Sequence, residues 1–298
     1  LEANNNIYGV ASLAQFSKPE LAGEDNTTGT IAFATVDETL QISIDTKVSN
    51  YNGSLGVNFY PTDWLKIDAT FGLNYSSQSS TNFWPFAWNI DGFSGSRPLG
   101  QLSADTRNFL AQTGEVKASF NNNIGSNITS NLIIGGQYIS EETKILGAQG
   151  TEFPGPGFEV TSAAGVQSVF EFFTENITAG IFAQEQIGFS DQLFVTLGAR
   201  LDANSAFGSE FNAAFYPKVS ASYIPSDSAN WNDIGPISSL QLRGSYGQSG
   251  LQPLAFSALT SYQALASATG AGIAPNNLGN PELSPEISKE WEVGFTAG

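Results

Sequence analysis

Cysteine, histidine and methionine are all absent from this chain of 298 residues. Without cysteine there are no disulfides and no thiol chemistry, and without histidine the Ser-His-Asp and Cys-His systems of nucleophilic catalysis are excluded. The same absences remove the usual side chains of zinc sites, and no segment has the spaced acidic pattern of a calcium loop. We therefore predict that the protein is not an enzyme, and we assign no residue to a metal or cofactor site, while a divalent ion between acidic loops stays an open alternative.

Charge is also scarce, and positive charge is the scarcer of the two signs. Charged residues make up 13% of the chain, whereas about 25% is usual for soluble domains. The 28 acidic residues outnumber the 11 basic ones and give a net charge of −17. Because such a surface repels a phosphate backbone, we do not expect a nucleic-acid partner.

Long apolar runs are missing as well, since none reaches the roughly 18–20 residues of a membrane helix. A membrane-spanning strand needs only about 9–11 residues, however, with apolar side chains at every second position. The chain also lacks an initiator methionine, and its first residues, LEANNNIYGV, have neither the basic nor the apolar region of a signal peptide. Both features favour a segment of a longer chain.

Strict alternation of apolar and polar residues is the main signal that is present. In the segment 65–75, apolar and polar side chains alternate at every position, and the segments 40–48, 193–202, 215–223 and 240–247 repeat the pattern. A period of two places the two sets on opposite faces of a β-sheet. The chain is therefore predicted to be all-β, with about a dozen long strands that are apolar on one face and polar on the other.

The connections between these strands alternate in length. Short ones such as 61–64 and 190–192 alternate with long ones at about 76–114, 141–176 and 249–288. Outer-membrane barrels have short turns at one rim and long loops at the other. The pattern predicts a single domain over residues 1–298, an antiparallel transmembrane β-barrel with the long loops outside the cell. A soluble β-sandwich or β-solenoid also alternates and stays an alternative.

Four blocks follow one another in the C-terminal third: VTLGARLDANSAFG (195–208), FYPKVSASYI (215–224), LQLRGSYGQSG (240–250) and LGNPELSPEISKEWEVGF (278–295). Their order and spacing resemble the barrel of TonB-dependent outer-membrane receptors of the SusC/RagA-like branch, over roughly residues 180–298. The resemblance implies a barrel of about 22 strands, of which this chain would form about half. It also implies an N-terminal plug domain and a TonB box, neither of which we find in the sequence.

The same resemblance implies a function and a set of partners. Such receptors import a nutrient, often an oligosaccharide or a peptide, across the bacterial outer membrane with energy from the TonB complex. Outer-membrane lipid would surround the barrel, the missing N-terminal region would contact TonB, and a SusD-like surface lipoprotein is a partner that the resemblance allows. Two other interpretations stay open, a plug-free outer-membrane porin or adhesin and a secreted β-rich binding protein.

One long loop carries candidate residues for binding the nutrient. The segment FWPFAW, residues 83–88, is followed by NIDGFSG, and exposed aromatic rings stack on sugar rings or apolar ligands while amides and carboxylates bond to hydroxyls. We predict substrate contacts from Trp84, Phe86, Trp88, Asn89 and Asp91. The alternative is that the aromatic rings pack the loop against its neighbours.

Charged residues on the polar side of the strands form a second candidate set. In a barrel that side faces a water-filled lumen, where charge is tolerated. These residues would line the transport path or contact the plug, or they would form ion pairs of purely structural use. The predicted lumen-facing residues are Lys66, Asp68, Arg200, Asp202, Lys218 and Arg243.

Overall fold

The computed structural model of the protein describes residues 40–88, 97–207, 213–228, 231, 237–251, 253–267 and 270–298. No helix among these residues is long and apolar enough to cross a membrane. Two short 3-10 helices lie at Thr161–Ala163 and Pro225–Asp227. The strands are β1 (Ser43–Thr62), β2 (Leu65–Trp84), β3 (Gln101–Ile124), β4 (Ile128–Thr151), β5 (Val166–Phe189), β6 (Leu193–Asn204), β7 (Ala214–Tyr223), β8 (Leu240–Leu251), β9 (Ser261–Ser267), β10 (Gly270–Asn277) and β11 (Glu286–Ala297).

Nine of these strands form one sheet, in the order β1-β2-β3-β4-β5-β6-β7-β8-β11. Each strand therefore lies beside its neighbour in sequence until β8, which pairs with β11 because the hairpin of β9 and β10 is inserted between them. The pairs from β5 to β8 and the β8–β11 pair are antiparallel. The predicted all-β, antiparallel fold class is confirmed, with eleven strands among the described residues against the predicted dozen.

Several strands are longer than the sequence suggested. Strands β3, β4 and β5 each contain 24 residues, more than twice the roughly 9–11 that span a membrane. The polar ends of β1, β2 and β3 stay in the sheet because side chains bond across strands: Ser77 Oγ donates to Asn108 Oδ1 at 2.8 Å, and Thr46 Oγ1 donates to Ser80 Oγ at 3.4 Å. Serine-rich and threonine-rich sequence is strand here and not loop.

The predicted bounds of the three long connections were therefore too wide. The connection predicted at 76–114 lies at 85–100, and the one predicted at 141–176 lies at 152–165. The one predicted at 249–288 lies at 252–285 and itself contains the β9–β10 hairpin. The alternation of short and long connections persists, because β1–β2, β3–β4 and β5–β6 are joined by two or three residues each.

The tight turn between β5 and β6 shows how the sequence makes these short connections. The backbone N–H of Gln192 donates to the carbonyl oxygen of Phe189 at 3.0 Å. The two residues between them, Ser190 and Asp191, have φ angles of 52° and 58°. Turns of this left-handed kind match the right-handed twist of paired strands, and aspartate tolerates the conformation better than most residues.

The chain divides into two compact units, and the first contains a small apolar core. Leu102, Phe153 and Ala164 are buried in it, and Phe83 and Phe86 pack against them. The first unit is made of Leu1–Tyr51, Tyr75–Phe109 and Thr143–Phe173, and the second of Asn52–Asn74, Leu110–Glu142 and Thr174–Gly298.

In the second unit the apolar face of the sheet is exposed. Ile181 on β5 and Leu197 on β6 are 63% and 56% exposed, and Val219 and Leu242 on the next two strands are also exposed. Soluble monomers rarely expose an apolar surface that continues from strand to strand. An outward-facing apolar band of this kind is what contact with lipid requires.

Candidate functional site

The polar face of the second unit brings side chains from distant parts of the sequence into one row. The register of the sheet sets Phe182 on β5 opposite Arg200 on β6, and Arg200 opposite Tyr216 on β7. Side chains at opposed positions point to the same face of a sheet. Leu197 and Leu201 lie on the apolar face of β6. The polar side chains of β5, β6 and β7 therefore lie together on the opposite face.

A hydrogen-bonded network forms the centre of this row. Arg200 Nε donates to both carboxylate oxygens of Asp202, at 2.6 and 2.7 Å, and Arg200 Nη2 donates to Gln137 Oε1 on β4 at 2.9 Å. The Arg200 guanidinium carbon also lies 5.9 Å from the centre of the Phe182 ring. Since the Arg200 and Asp202 side chains are only 30% and 21% exposed, the network holds the guanidinium in a fixed orientation.

Glycines on neighbouring strands make room for these side chains. A Cβ added at Gly180 would overlap the carboxylate of Asp202 and lie 2.8 Å from Arg200 Nη2. A Cβ added at Gly135 would lie 2.5 Å from Phe182 Cζ. A large side chain that covers a glycine on the adjacent strand is a recurrent way of fixing register in curved sheets.

The network borders a cavity of about 600 Å³ that lies wholly within the second unit. Ligand pockets of roughly 300–1,000 Å³ that combine aromatic rings with a few polar groups are typical of small-molecule sites. Charged, amide and aromatic side chains line this cavity, among them Gln137, Phe182, Gln184, Arg200, Tyr216 and Lys218. The polar face is therefore the best-formed candidate site in the described part of the chain.

The six predicted lumen-facing residues all lie on the polar face, but the structure brings only three of them together. Arg200, Asp202 and Lys218 border the cavity. Lys66 forms an ion pair with Asp68 at 2.7 Å on β2, and Arg243 on β8 lies 3.9 Å from Glu292 on β11. That this face borders a lumen stays a prediction.

The aromatic loop of the first unit is arranged around an arginine. The guanidinium carbon of Arg97 lies 4.5 Å from the centre of the Trp84 ring and 5.8 Å from that of Trp88, and Arg97 Nε donates to Gln101 Oε1 at 2.8 Å. The backbone N–H of Arg97 also donates to the carbonyl oxygen of Trp88 at 3.1 Å. An arginine over an indole face is a favourable cation–π arrangement, so the loop is held together by its own residues.

The predicted substrate residues of this loop differ in their accessibility. Trp88 is only 7% exposed, and Phe86 packs against the core of the first unit. Trp84 is half-buried beneath Arg97. Asn89 and Asp91 lie outside the described residues. Substrate contact by these five residues stays a prediction.

Sequence reasoning did not identify Arg97, Gln137, Phe182 or Tyr216. For Arg97 a signal was present, because it is the single basic residue between Lys66 and Arg107 and lies close to the aromatic segment. For the other three no signal was available. Gln137, for example, is 63 residues from Arg200 in sequence, and only the register of the sheet brings the two together.

Comparison with known proteins identifies the fold. The family model described as "TonB dependent receptor-like, beta-barrel" matches residues 3–297. The chain belongs to this family. The resemblance found in the four C-terminal blocks is thereby confirmed and extends over the N-terminal half. TonB-dependent receptors form a family of outer-membrane receptors and transporters in bacteria, and not a family of enzymes.

Individual relatives of this TonB-dependent receptor chain are distant. The TonB-dependent receptor P26 of Formosa agariphila is 21% identical over 258 residues, which are 84% of this chain and 26% of the relative. The solved structure of the RagAB peptide transporter superimposes with a TM-score of 0.78 at 18% identity and covers 87% of this chain and 29% of that one. The RagAB peptide importer in an "open-open" state gives a TM-score of 0.75. The chain thus spans between a quarter and a third of the length of these relatives.

Among the residues that the structure describes, no group of three or more acidic side chains is placed to hold a metal ion. Catalysis by this part of the receptor would also have to proceed without cysteine or histidine. What the polar face offers is instead a set of hydrogen-bonding and charged groups around a cavity, which suits binding.

Proposed function

We propose that the protein to which this chain belongs imports a nutrient across the bacterial outer membrane, with energy supplied by the TonB complex. In this account the nine-stranded sheet is part of the barrel wall, with its apolar face in the lipid and its polar face towards the lumen. The observation that carries the proposal is the exposed apolar face of the second unit, with Ile181 and Leu197 more than half exposed. Membership of the TonB-dependent receptor family supports it.

The charged polar face would serve this transport in two ways. The amide side chains and the charged side chain without an ion-pair partner around the cavity would contact the nutrient on its path. The ion pairs Lys66–Asp68 and Arg200–Asp202, at 2.7 and 2.6 Å, each join two residues of one strand and would order side chains on the wall or contact a plug domain supplied by another part of the receptor. The desolvation cost of such ion pairs is small where the lumen keeps the charges partly hydrated.

The aromatic loop would contribute to nutrient capture at the outer rim. Among the predicted substrate residues, Trp84, Phe86, Trp88, Asn89 and Asp91, the half-buried Trp84 ring is the best candidate for direct stacking. Trp88, being 7% exposed, would act by holding the loop in shape around Arg97. Long loops on rigid scaffolds are where binding residues concentrate.

A surface lipoprotein is the proposed extracellular partner. The sequence blocks resemble the SusC/RagA-like branch, and two similar solved structures are those of a RagAB peptide transporter and a RagAB peptide importer. At 18% identity these matches support the fold alone, so a peptide is one proposed cargo and an oligosaccharide is the other.

Uptake by the full-length receptor tests this function directly. A bacterium that expresses the receptor should grow on one class of a defined panel of peptides and oligosaccharides, and that growth should require both the receptor gene and a functional TonB. The matched control is a strain with the receptor but without TonB. Growth that depends on the receptor and is unaffected by loss of TonB would point to a passive porin and contradict the proposal.

A further inference from the structure

Lys218 lies in a second row across the polar face, next to the row of Phe182, Arg200 and Tyr216. It lies on β7 directly between two glycines, Gly198 on β6 and Gly247 on β8. A Cβ added at Gly198 would lie 2.6 Å from Lys218 Cε, so the lysine stem rests on the backbone of that glycine. The two glycines leave space on both sides of the side chain, which is itself exposed.

Lys218 also differs from the other basic side chains of the cavity in having no carboxylate beside it. Lys117 Nζ lies 3.2 Å from Glu115, and Arg200 is paired with Asp202. Among the residues that the structure describes, no carboxylate lies within 4 Å of Lys218 Nζ.

Two acids of β11, Glu290 and Glu292, line a neighbouring cavity that Lys218 also borders, and neither forms an ion pair with it among the described residues. Glu290 on β11 shares the row with Lys218, but Gly247 on β8 lies between the two. Neighbouring strands lie about 4.8 Å apart, so residues two strands apart are separated by almost 10 Å at the backbone. No ion pair between Lys218 and Glu290 is formed within the described part of the chain.

The charge of the cavity is therefore opposite to that of the chain. Its charged lining residues are three bases, Lys117, Arg200 and Lys218, and two acids, Glu115 and Asp202, which leaves one net positive charge. The whole chain carries −17. Because two of the bases are neutralised by their own acids, the positive charge is localised at Lys218. A concave, partly enclosed site strengthens such a local charge relative to open solvent.

Two polar side chains near Lys218 have uncommitted hydrogen-bonding groups. Tyr216 is two residues away on the same face of β7, about 7 Å along the strand, and Gln184 lies beyond Gly198 in the same row. Within the described residues neither side chain makes a hydrogen bond, and both line the cavity. An ammonium, a phenol and an amide that line one cavity are donors that a carboxylate can accept from.

We propose that Lys218, with Tyr216 and Gln184, forms a subsite on the polar face that binds the carboxylate of an imported nutrient. This inference rests on the proposed import function and adds to it the chemical class of the cargo, an anionic peptide or an acidic oligosaccharide. Gly198 is a positioning residue of the subsite, because it provides the surface on which the lysine stem lies.

Calorimetric binding to the purified full-length receptor tests the subsite with two matched pairs of probes. The first pair is N-acetyl-trialanine and its C-terminal amide, and the second is trigalacturonate and its methyl ester. In at least one pair the carboxylate form should bind at least 10-fold more tightly than the neutral form. Lys218→Gln should abolish that preference, while Lys218→Arg should keep it within about 3-fold, since a charge-assisted hydrogen bond needs only the cation.

The matched control is Lys47→Gln, which removes an exposed lysine of β1 that is already paired with Asp45 and does not line the cavity. It should leave the preference unchanged. The subsite would be overturned if the preference for the carboxylate form survives Lys218→Gln, or if neither probe pair shows that preference. The subsite would also be overturned if the ligand-free Lys218→Gln receptor unfolds at a lower temperature while its binding is unchanged. Lys218 would then pair with a carboxylate of the protein itself. TonB-dependent uptake that persists in each of these cases would leave the import function intact.

Discussion

Leu197→Arg is expected to destabilise the full-length receptor by about 2–4 kcal/mol and to lower the amount assembled in the outer membrane. Leu197 lies in the middle of β6 on the apolar face and is 56% exposed. If that face is covered by lipid, the substitution places a guanidinium in hydrocarbon, where neither water nor a carboxylate compensates its charge. The unfolding transition of the receptor in lipid nanodiscs and its level in isolated outer membranes measure the effect.

Thr196→Arg is the matched control for this prediction. Thr196 is the adjacent residue of the same strand and points to the polar face, opposite Ser220 on β7. An arginine there would be hydrated in the lumen, so a change within about 0.5 kcal/mol is expected. Equal tolerance of arginine at both positions would mean that the apolar face is not in contact with lipid.

Gly180→Val is the second substitution with a large expected effect. A Cβ at Gly180 overlaps the carboxylate of Asp202, and that carboxylate is held by two hydrogen bonds from Arg200. The carboxylate must therefore move and break a charge-assisted pair, which is worth about 1.5–3 kcal/mol. A loss of stability of that size should appear as a lower unfolding temperature of the full-length receptor.

Gly136→Val controls for the change of residue type. Gly136 is a glycine of β4 on the apolar face, and a Cβ added there meets nothing closer than 3.7 Å. Valine favours strands and glycine weakens them, so this substitution should be neutral or slightly stabilising. If both variants lose the same stability, backbone conformation and not the Asp202–Arg200 network would explain the loss at Gly180.

The faces of the strands could be predicted from the sequence because a period of two depends on local order alone. Within the segment 193–202, Leu197 was placed on one face and Arg200 and Asp202 on the other without any knowledge of the partners of β6. The register between strands is not encoded locally. For this reason the sequence did not predict that Arg200 reaches Gln137 or that Lys218 lies between two glycines.

The loop residues show a different limit of sequence reasoning. The aromatic segment was predicted either to be exposed to a ligand or to pack the loop against its neighbours. The burial of Trp88 depends on its backbone bridge to Arg97, nine residues later. The polar ends of β2 and β3 were assigned to loops because serine, threonine and asparagine are common in turns. In the folded sheet these residues are stabilised by bonds across strands, which no property of a single segment reveals.

We propose that this sheet is a membrane barrel wall with lipid on one side and an aqueous lumen on the other. Because the chain has no cysteine, single cysteines can be introduced along β6 of an otherwise cysteine-free full-length receptor and spin-labelled in liposomes. We predict that labels at Val195, Leu197, Ala199 and Leu201 are relaxed mainly by oxygen, which concentrates in lipid. Labels at Thr196, Gly198, Arg200 and Asp202 should instead be relaxed mainly by a water-soluble nickel complex. Equal access of the nickel complex to both sets would contradict the account.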